Sequence, residues 1–210
     1  QTPESEFYRV VRHEVGHCFV GDTLIDGPRD VEKYPKGIPI RDLVGKQPWV
    51  YAWKDGRIVV RKASRIWLTR RKAKVVRVKL RPGQGYHSKK HLAPLELVGT
   101  PDHKVLLVDG VTWKEMSKLK KGDRLCSLYR KSKVNRCQGA TKGRSKIRWS
   151  GGGDSIGEHV FVCQEFNGPR PADHHCHHKN NNPMDQAPEN LEWKHKTLHI
   201  SEHNKGKKIS

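Results

Sequence analysis

"HHCHHKNNNPMDQAPENLEWKHKTLHISEHNKG", residues 174–206, holds seven of the chain's thirteen histidines. Such density needs a chemical reason. The first four histidines sit on a short predicted strand that runs into the polar loop "KNNNPMD". His199 and His203 stand four apart, which puts both on one face of a helix. A strand end and a helix face can together make a metal site. Neutral imidazole is a good donor for first-row divalent ions, and three such ligands leave positions open for a phosphate oxygen and water. An open metal site beside a spare histidine is a hydrolytic arrangement. Two other readings of the same residues stay open: a His-rich loop without turnover, and a structural zinc site built from Cys137, Cys163, Cys176 and a histidine. Cys163 and Cys176 also fit a small core between strands.

Widened to "EHVFVCQEFNGPRP…HHKNNNPMDQAPENLEW…HISEH", residues 158–204, the pattern resembles the HNH nucleases, particularly the homing-type endonucleases. The shared features are a hydrophobic strand, a G-P-x-P turn, a His-His pair, an Asn-rich loop, N-L-E-W and a histidine-bearing helix. The resemblance implies a ββα-metal fold over residues 158–210, with His178 as the general base that activates water. It implies His177, His199 and His203 as metal ligands, and Asn190 as the asparagine whose amide holds the loop against the strand. The divalent ion it implies is Mg²⁺ first, with Mn²⁺ or Zn²⁺ as alternatives. The family's loop glycine is Asn181 here, and asparagine tolerates the positive φ that such a turn needs.

Lys and Arg total 42 against 22 acids, for a net charge of +20. An excess of this size draws a protein onto a polyanion, and double-stranded DNA is the expected partner. Residues 57–95 carry thirteen Lys or Arg and no acid, either a solvated face of strands or a strip lying along a nucleic-acid backbone. Residues 131–157, "KSKVNRCQGATKGRSKIRWSGGGDSIG", are rich in Gly, Ser and basic residues, so they read as a basic linker, with Lys142, Arg144, Lys146 and Arg148 as DNA contacts. No run approaches a membrane span and no signal-peptide core is visible, which gives the expectation of a soluble, cytoplasmic protein without a membrane partner. The five cysteines are nowhere spaced C-x-x-C, so neither a disulfide framework nor a zinc finger is expected.

From Cys18 to about Arg130 the chain changes to short β-branched runs between turns, such as "WVYAW", "RIVVR" and "HKVLLVDG". Within it, "CFVGDTLI" and "GTPDHKVLL" resemble two blocks of the Hint or intein domain. That resemblance, over residues 18–130, implies a β-rich horseshoe in which Cys18 attacks the preceding carbonyl to form a thioester, with His103 polarising the bond and Thr100 supporting it. Residues 1–17 then become a host-protein extein, covalently attached. Their "RHEVGH" resembles an H-E-x-x-H metallopeptidase helix, and Phe7, Val10, Val11 and Val15 fall near one face at helical spacing. The beginning at Gln1 marks a fragment or processed product as the expectation. The family's closing splicing block is missing, because His203-Asn204 is followed by Lys205.

The fold class expected is therefore α+β, a Hint-like β domain followed by a small HNH domain. The activity expected is metal-dependent hydrolysis of DNA, with self-processing chemistry at Cys18. The competing readings are a self-processing protein with a decayed nuclease, a non-catalytic DNA-binding protein, and a zinc peptidase carried only by the opening segment.

Overall fold

The structure is a computed structural model, and it describes residues 6–9, 19–68, 73–80, 95–133, 144–149 and 155–198. Its strands in chain order are β1 (Glu6–Arg9), β2 (Leu24–Ile25), β3 (Ile38–Pro39), β4 (Trp49–Lys54), β5 (Arg57–Lys62), β6 (Val76–Leu80), β7 (Leu95–Gly99), β8 (Lys104–Leu106), β9 (Trp113–Glu115), β10 (Ser127–Lys133), β11 (Arg144–Trp149), β12 (Ile156–Gly157), β13 (His174–His178) and β14 (Leu191–His195). One α-helix, α1 (Glu158–Asn167), lies between β12 and β13. The protein is strand-rich α+β. One sheet has the order β1-β10-β11-β12, and the remaining strands pair as five two-stranded ribbons, β2-β3, β4-β5, β6-β7, β8-β9 and β13-β14. No sheet among the described residues closes into a barrel. No described helix is long and apolar enough to cross a membrane.

Three expectations change here. Residues 6–9 form a strand rather than part of a helix, pairing antiparallel with β10 from Glu6↔Arg130 to Arg9↔Ser127. Tertiary pairing overrides the local helical spacing of so short a segment. The remaining residues of that opening pattern, His13 and His17 among them, lie outside the described residues, as does Cys18.

Second, "EHVFVCQEFN" is a helix and not a strand. Its strand-like look came from the β-branched and aromatic run Val160, Phe161 and Val162, yet the buried positions are Glu158, His159, Val162 and Cys163, which repeat at helical spacing. Gly168 follows at φ 79° and ψ −176°, a positive-φ extended conformation that is essentially confined to glycine.

Third, the described parts of the segment 131–157 lie almost wholly in the sheet. Lys131, Ser132 and Lys133 finish β10, Arg144–Trp149 pairs along it, and Ile156 pairs with Ile147. Along β11, Ser145 and Ile147 are buried while Lys146 and Arg148 are exposed. Period-two alternation of this kind marks a half-buried strand, and Lys146 and Arg148, two of the charged residues that made the segment look like a linker, lie on its outer face.

One core cluster joins several of these parts. Tyr51, Ile58 and Val60 from the β4-β5 ribbon meet Leu128 and Ile147 from the sheet, Val162 and Cys163 from α1, and Leu191 from β14. In its middle sits a buried charge cluster. Arg130 occupies an inward position of β10, two residues from the buried Leu128. Its guanidinium donates to Glu158 through Nε at 2.8 Å and Nη2 at 2.5 Å, and to Asp26 Oδ1 through Nη1 at 2.8 Å. The Tyr51 hydroxyl donates to Glu158 at 2.6 Å, and Arg29 also reaches Asp26. Gly27 beside it has no room for a side chain, because a Cβ there would stand 2.1 Å from the Trp49 carbonyl oxygen.

Burial alone would push the Glu158 carboxyl up and the Arg130 guanidinium down. The opposite charges win, so Glu158 is held below the usual carboxylate range and Arg130 well above its ordinary value. Tyr51 is pushed well up, first by burial and then by the Glu158 charge.

Removing one member of such a cluster leaves an unpaired buried charge. Arg130→Met and Glu158→Gln should each lower unfolding free energy by about 3–5 kcal/mol in urea titrations. The pH dependence follows in sign: with its folded pKa depressed, Glu158 contributes fully above its unfolded pKa of about 4.3, and that contribution is lost as pH falls toward the folded value. The acid limb of a stability-against-pH curve should therefore flatten in Glu158→Gln.

Candidate active site

The β13-β14 hairpin sets the site. Its register pairs His178 with Leu191, His177 with Glu192, Cys176 with Trp193, His175 with Lys194 and His174 with His195. Alternation puts His174, Cys176 and His178 on one face and His175 and His177 on the other. The first face looks onto α1. There Cys176 Sγ donates to the His159 carbonyl oxygen at 3.3 Å, and the His178 ring lies stacked 5.6 Å from the His159 ring. Asn167, at the other end of α1, donates through Nδ2 to the Leu191 carbonyl oxygen at 3.0 Å. The helix thus fixes the hairpin at both ends.

His177 is buried at 6 % exposure on the opposite face, directly across from Glu192. It offers one imidazole donor. The two helical histidines expected beside it, His199 and His203, lie outside the described residues, though residues 196–198 already begin a helical turn in their direction. Among the described residues no group of three or more His, Cys, Asp or Glu side chains is placed to hold a metal ion. The imidazole chemistry of His177 fits a first-row divalent ion.

The loop between the strands is tied almost wholly by asparagine and aspartate. Asn190 Oδ1 accepts from the Asn180 backbone N–H at 3.0 Å, and Asn190 Nδ2 donates to the Asp185 carbonyl oxygen at 3.0 Å. Asn180 and Asn182 side chains accept from the N–H two residues on, at 2.9 and 3.1 Å, as Asx turns do. Asn181 stands at φ 56°, the left-handed conformation expected at the loop glycine's position. Its N–H donates to the His178 carbonyl oxygen at 3.0 Å, so the turn closes directly on the candidate base.

The loop is also anchored to the N-terminal half. Val31 N–H donates to the Met184 carbonyl oxygen, Gln186 N–H donates to the Arg29 carbonyl oxygen, and Trp49 Nε1 donates to Glu189 at 2.5 Å. Sequence reasoning missed these contacts and missed His159. Nothing in the spacing of His159 marks it, since its relation to His178 exists only once the helix packs.

Elsewhere, Thr100 and His103 are both buried, and His103 N–H donates to the Thr100 carbonyl oxygen at 3.0 Å. Phe19 bridges to Gly99 and lays its ring 3.8 Å from the His103 ring. The residue after Cys18 therefore sits against this turn. Of the four expected DNA contacts, Lys146 and Arg148 are exposed on β11, Arg144 lies in the same strand, and Lys142 is outside the described residues.

Residues 157–199 match the HNH endonuclease family. The match is local and spans α1, the hairpin and the first residues beyond it. The chain is also 32% identical over 216 residues to the B-type subunit of the DNA gyrase of Synechocystis sp., covering 96% of this chain and 18% of that protein. It thus spans less than a fifth of that relative's length. No solved structure matches the chain.

The loop geometry makes two expectations. Asn181→Gly should leave stability nearly unchanged, whereas Asn181→Val, which must hold a β-branched side chain at positive φ, should cost at least about 1–2 kcal/mol in thermal denaturation. Asn190→Ala removes both bonds of its amide and should cost about 1–3 kcal/mol.

Proposed function

We propose that the protein is a DNA endonuclease of the HNH type that cuts duplex DNA with a divalent ion, and that the observation carrying this reading is the hairpin itself. A His-His pair at a strand end, closed by a loop that Asn181 and Asn190 hold, coincides with the local match to HNH endonucleases. His178 is the proposed general base. It takes the proton of the attacking water, and its packing against His159 limits how far its ring can swing. His177, with His199 and His203, would hold the metal. The ion would neutralise charge on the leaving oxygen, and imidazole donors make Mn²⁺ or Zn²⁺ as suitable as Mg²⁺. The excess of basic residues, including Lys146 and Arg148 on the open face of β11, supports DNA as the substrate.

Supercoiled plasmid incubated with the protein should be cut with Mg²⁺ or Mn²⁺ and remain intact with chelator. His178→Ala should slow cutting by roughly two to four orders of magnitude while leaving DNA affinity in place. Full-rate cutting in chelator, or an unimpaired His178→Ala, would remove this assignment.

A second reading is favoured by the contact of Phe19 with His103. It gives residues 18–130 a Hint-like role, with Phe19, the residue that follows Cys18 in the chain, against the buried Thr100–His103 turn. In that chemistry the Cys18 sulfur bonds to the His17 carbonyl carbon, the His17–Cys18 C–N bond breaks, and the thiol proton ends on the freed Cys18 amine. A chain that matches a minor segment of a much longer protein along nearly all of its own length supports a module carried inside a host. Dithiothreitol should exchange onto the thioester and release residues 1–17, seen by mass after denaturation. Cys18→Ala should abolish release, and His103→Ala should slow it strongly.

A further inference from the structure

Trp67 and Leu68 are large apolar neighbours left 60 % and 65 % exposed. Their base is not loose. Ile66, just before them, is buried at 5 % exposure, forms a bridge with Val44, donates from its N–H to the Lys46 carbonyl oxygen at 3.0 Å and accepts at its own carbonyl from Gly45 N–H at 2.7 Å. Two apolar side chains therefore project from a pinned stem. Just before them in the chain, Arg61, Lys62 and Arg65 are all exposed.

We propose that Trp67 and Leu68 form a wedge that inserts between base pairs of the bound DNA duplex, while Lys62 and Arg65 contact the flanking phosphates. This rests on DNA as the partner and goes beyond it by naming the contact. An exposed apolar pair that follows three exposed cations in the chain fits a duplex, whose stack accepts apolar wedges and whose backbone needs cations. A second copy of this chain fits poorly, since each carries +20 and like charges oppose the approach.

Position supports the same partner. Lys62 pairs with Trp49 across the β4-β5 ribbon, and its Nζ lies 5.8 Å over the Trp49 ring. Trp49 in turn holds Glu189, the residue before Asn190. Trp67 is five residues beyond Lys62, so it lies at most about 18 Å from that point, even fully extended. That is about five base-pair steps at 3.4 Å each. The wedge is thus placed to act beside the hairpin that would do the cutting.

The test uses the full chain in chelator, where the nuclease is silent. Relaxed plasmid closed by a metal-independent topoisomerase in the presence of protein should show a shifted linking number, as unstacking wedges produce. Trp67→Ala/Leu68→Ala should lose most of that shift and bind a mixed-sequence 30-base-pair duplex roughly tenfold more weakly, with the salt slope unchanged. Lys62→Gln/Arg65→Gln should instead flatten the slope by about 0.9 per contact, and Trp67→Phe should restore the shift. An unchanged linking number and affinity in the Trp67/Leu68 variant would overturn the wedge. So would a variant that alters only self-association by sedimentation. Wild-type protein that binds and shifts linking number yet never cuts with Mg²⁺ or Mn²⁺ would sink the nuclease reading and leave the wedge standing.

Discussion

A guanidinium 2 % exposed, shared between two carboxylates, is the constraint on which this architecture turns. Arg130, Glu158, Asp26 and Tyr51 come from a sheet strand, the start of α1, an early loop and the β4-β5 ribbon. Any one of them buried without the others would carry a severe desolvation cost. The four segments must therefore arrive together. Because α1 begins at Glu158 and braces the hairpin through His159 and Asn167, the setting of the candidate catalytic histidine is transmitted from this cluster.

Two candidate neighbourhoods occupy different parts of the described structure. The Thr100–His103 turn sits at the end of β7, and the His177–His178 strand sits against α1. The loop after His178 is bonded to Arg29 and Val31, in a segment soon after Phe19. Boundaries drawn from composition at 130/131 and 157/158 fall beside Arg130 and Glu158 and leave Ile147 in a linker, though all three residues are deeply buried.

What the sequence displayed was its local chemistry. The short strand of histidines was legible from its residues, and the positive φ at Asn181 and the amide tie from Asn190 were legible through the resemblance to HNH nucleases, whose motif falls within residues 158–204. The helix was misread because Val160, Phe161 and Val162 imitate a strand, and only the buried face that α1 offers to the hairpin decides between periods of two and 3.6. Arg130 was illegible for a different reason. It opens a run, "RKSK", that reads as solvated charge, and its partners lie 28 and 104 positions away. Long-range ion pairs leave no trace in spacing. The strand β1 was hidden in the same way, since its partner is more than a hundred residues downstream.

That strand has a consequence for what can precede Cys18. The edge of the sheet is completed by four residues from upstream of it, and they are held by main-chain pairing to β10. Main-chain hydrogen bonds carry no information about side-chain identity, so the sheet asks its upstream neighbour for a shape rather than for a set of letters. The sheet would accept many different preceding sequences, provided they can lie extended there and do not place proline where an N–H must be given.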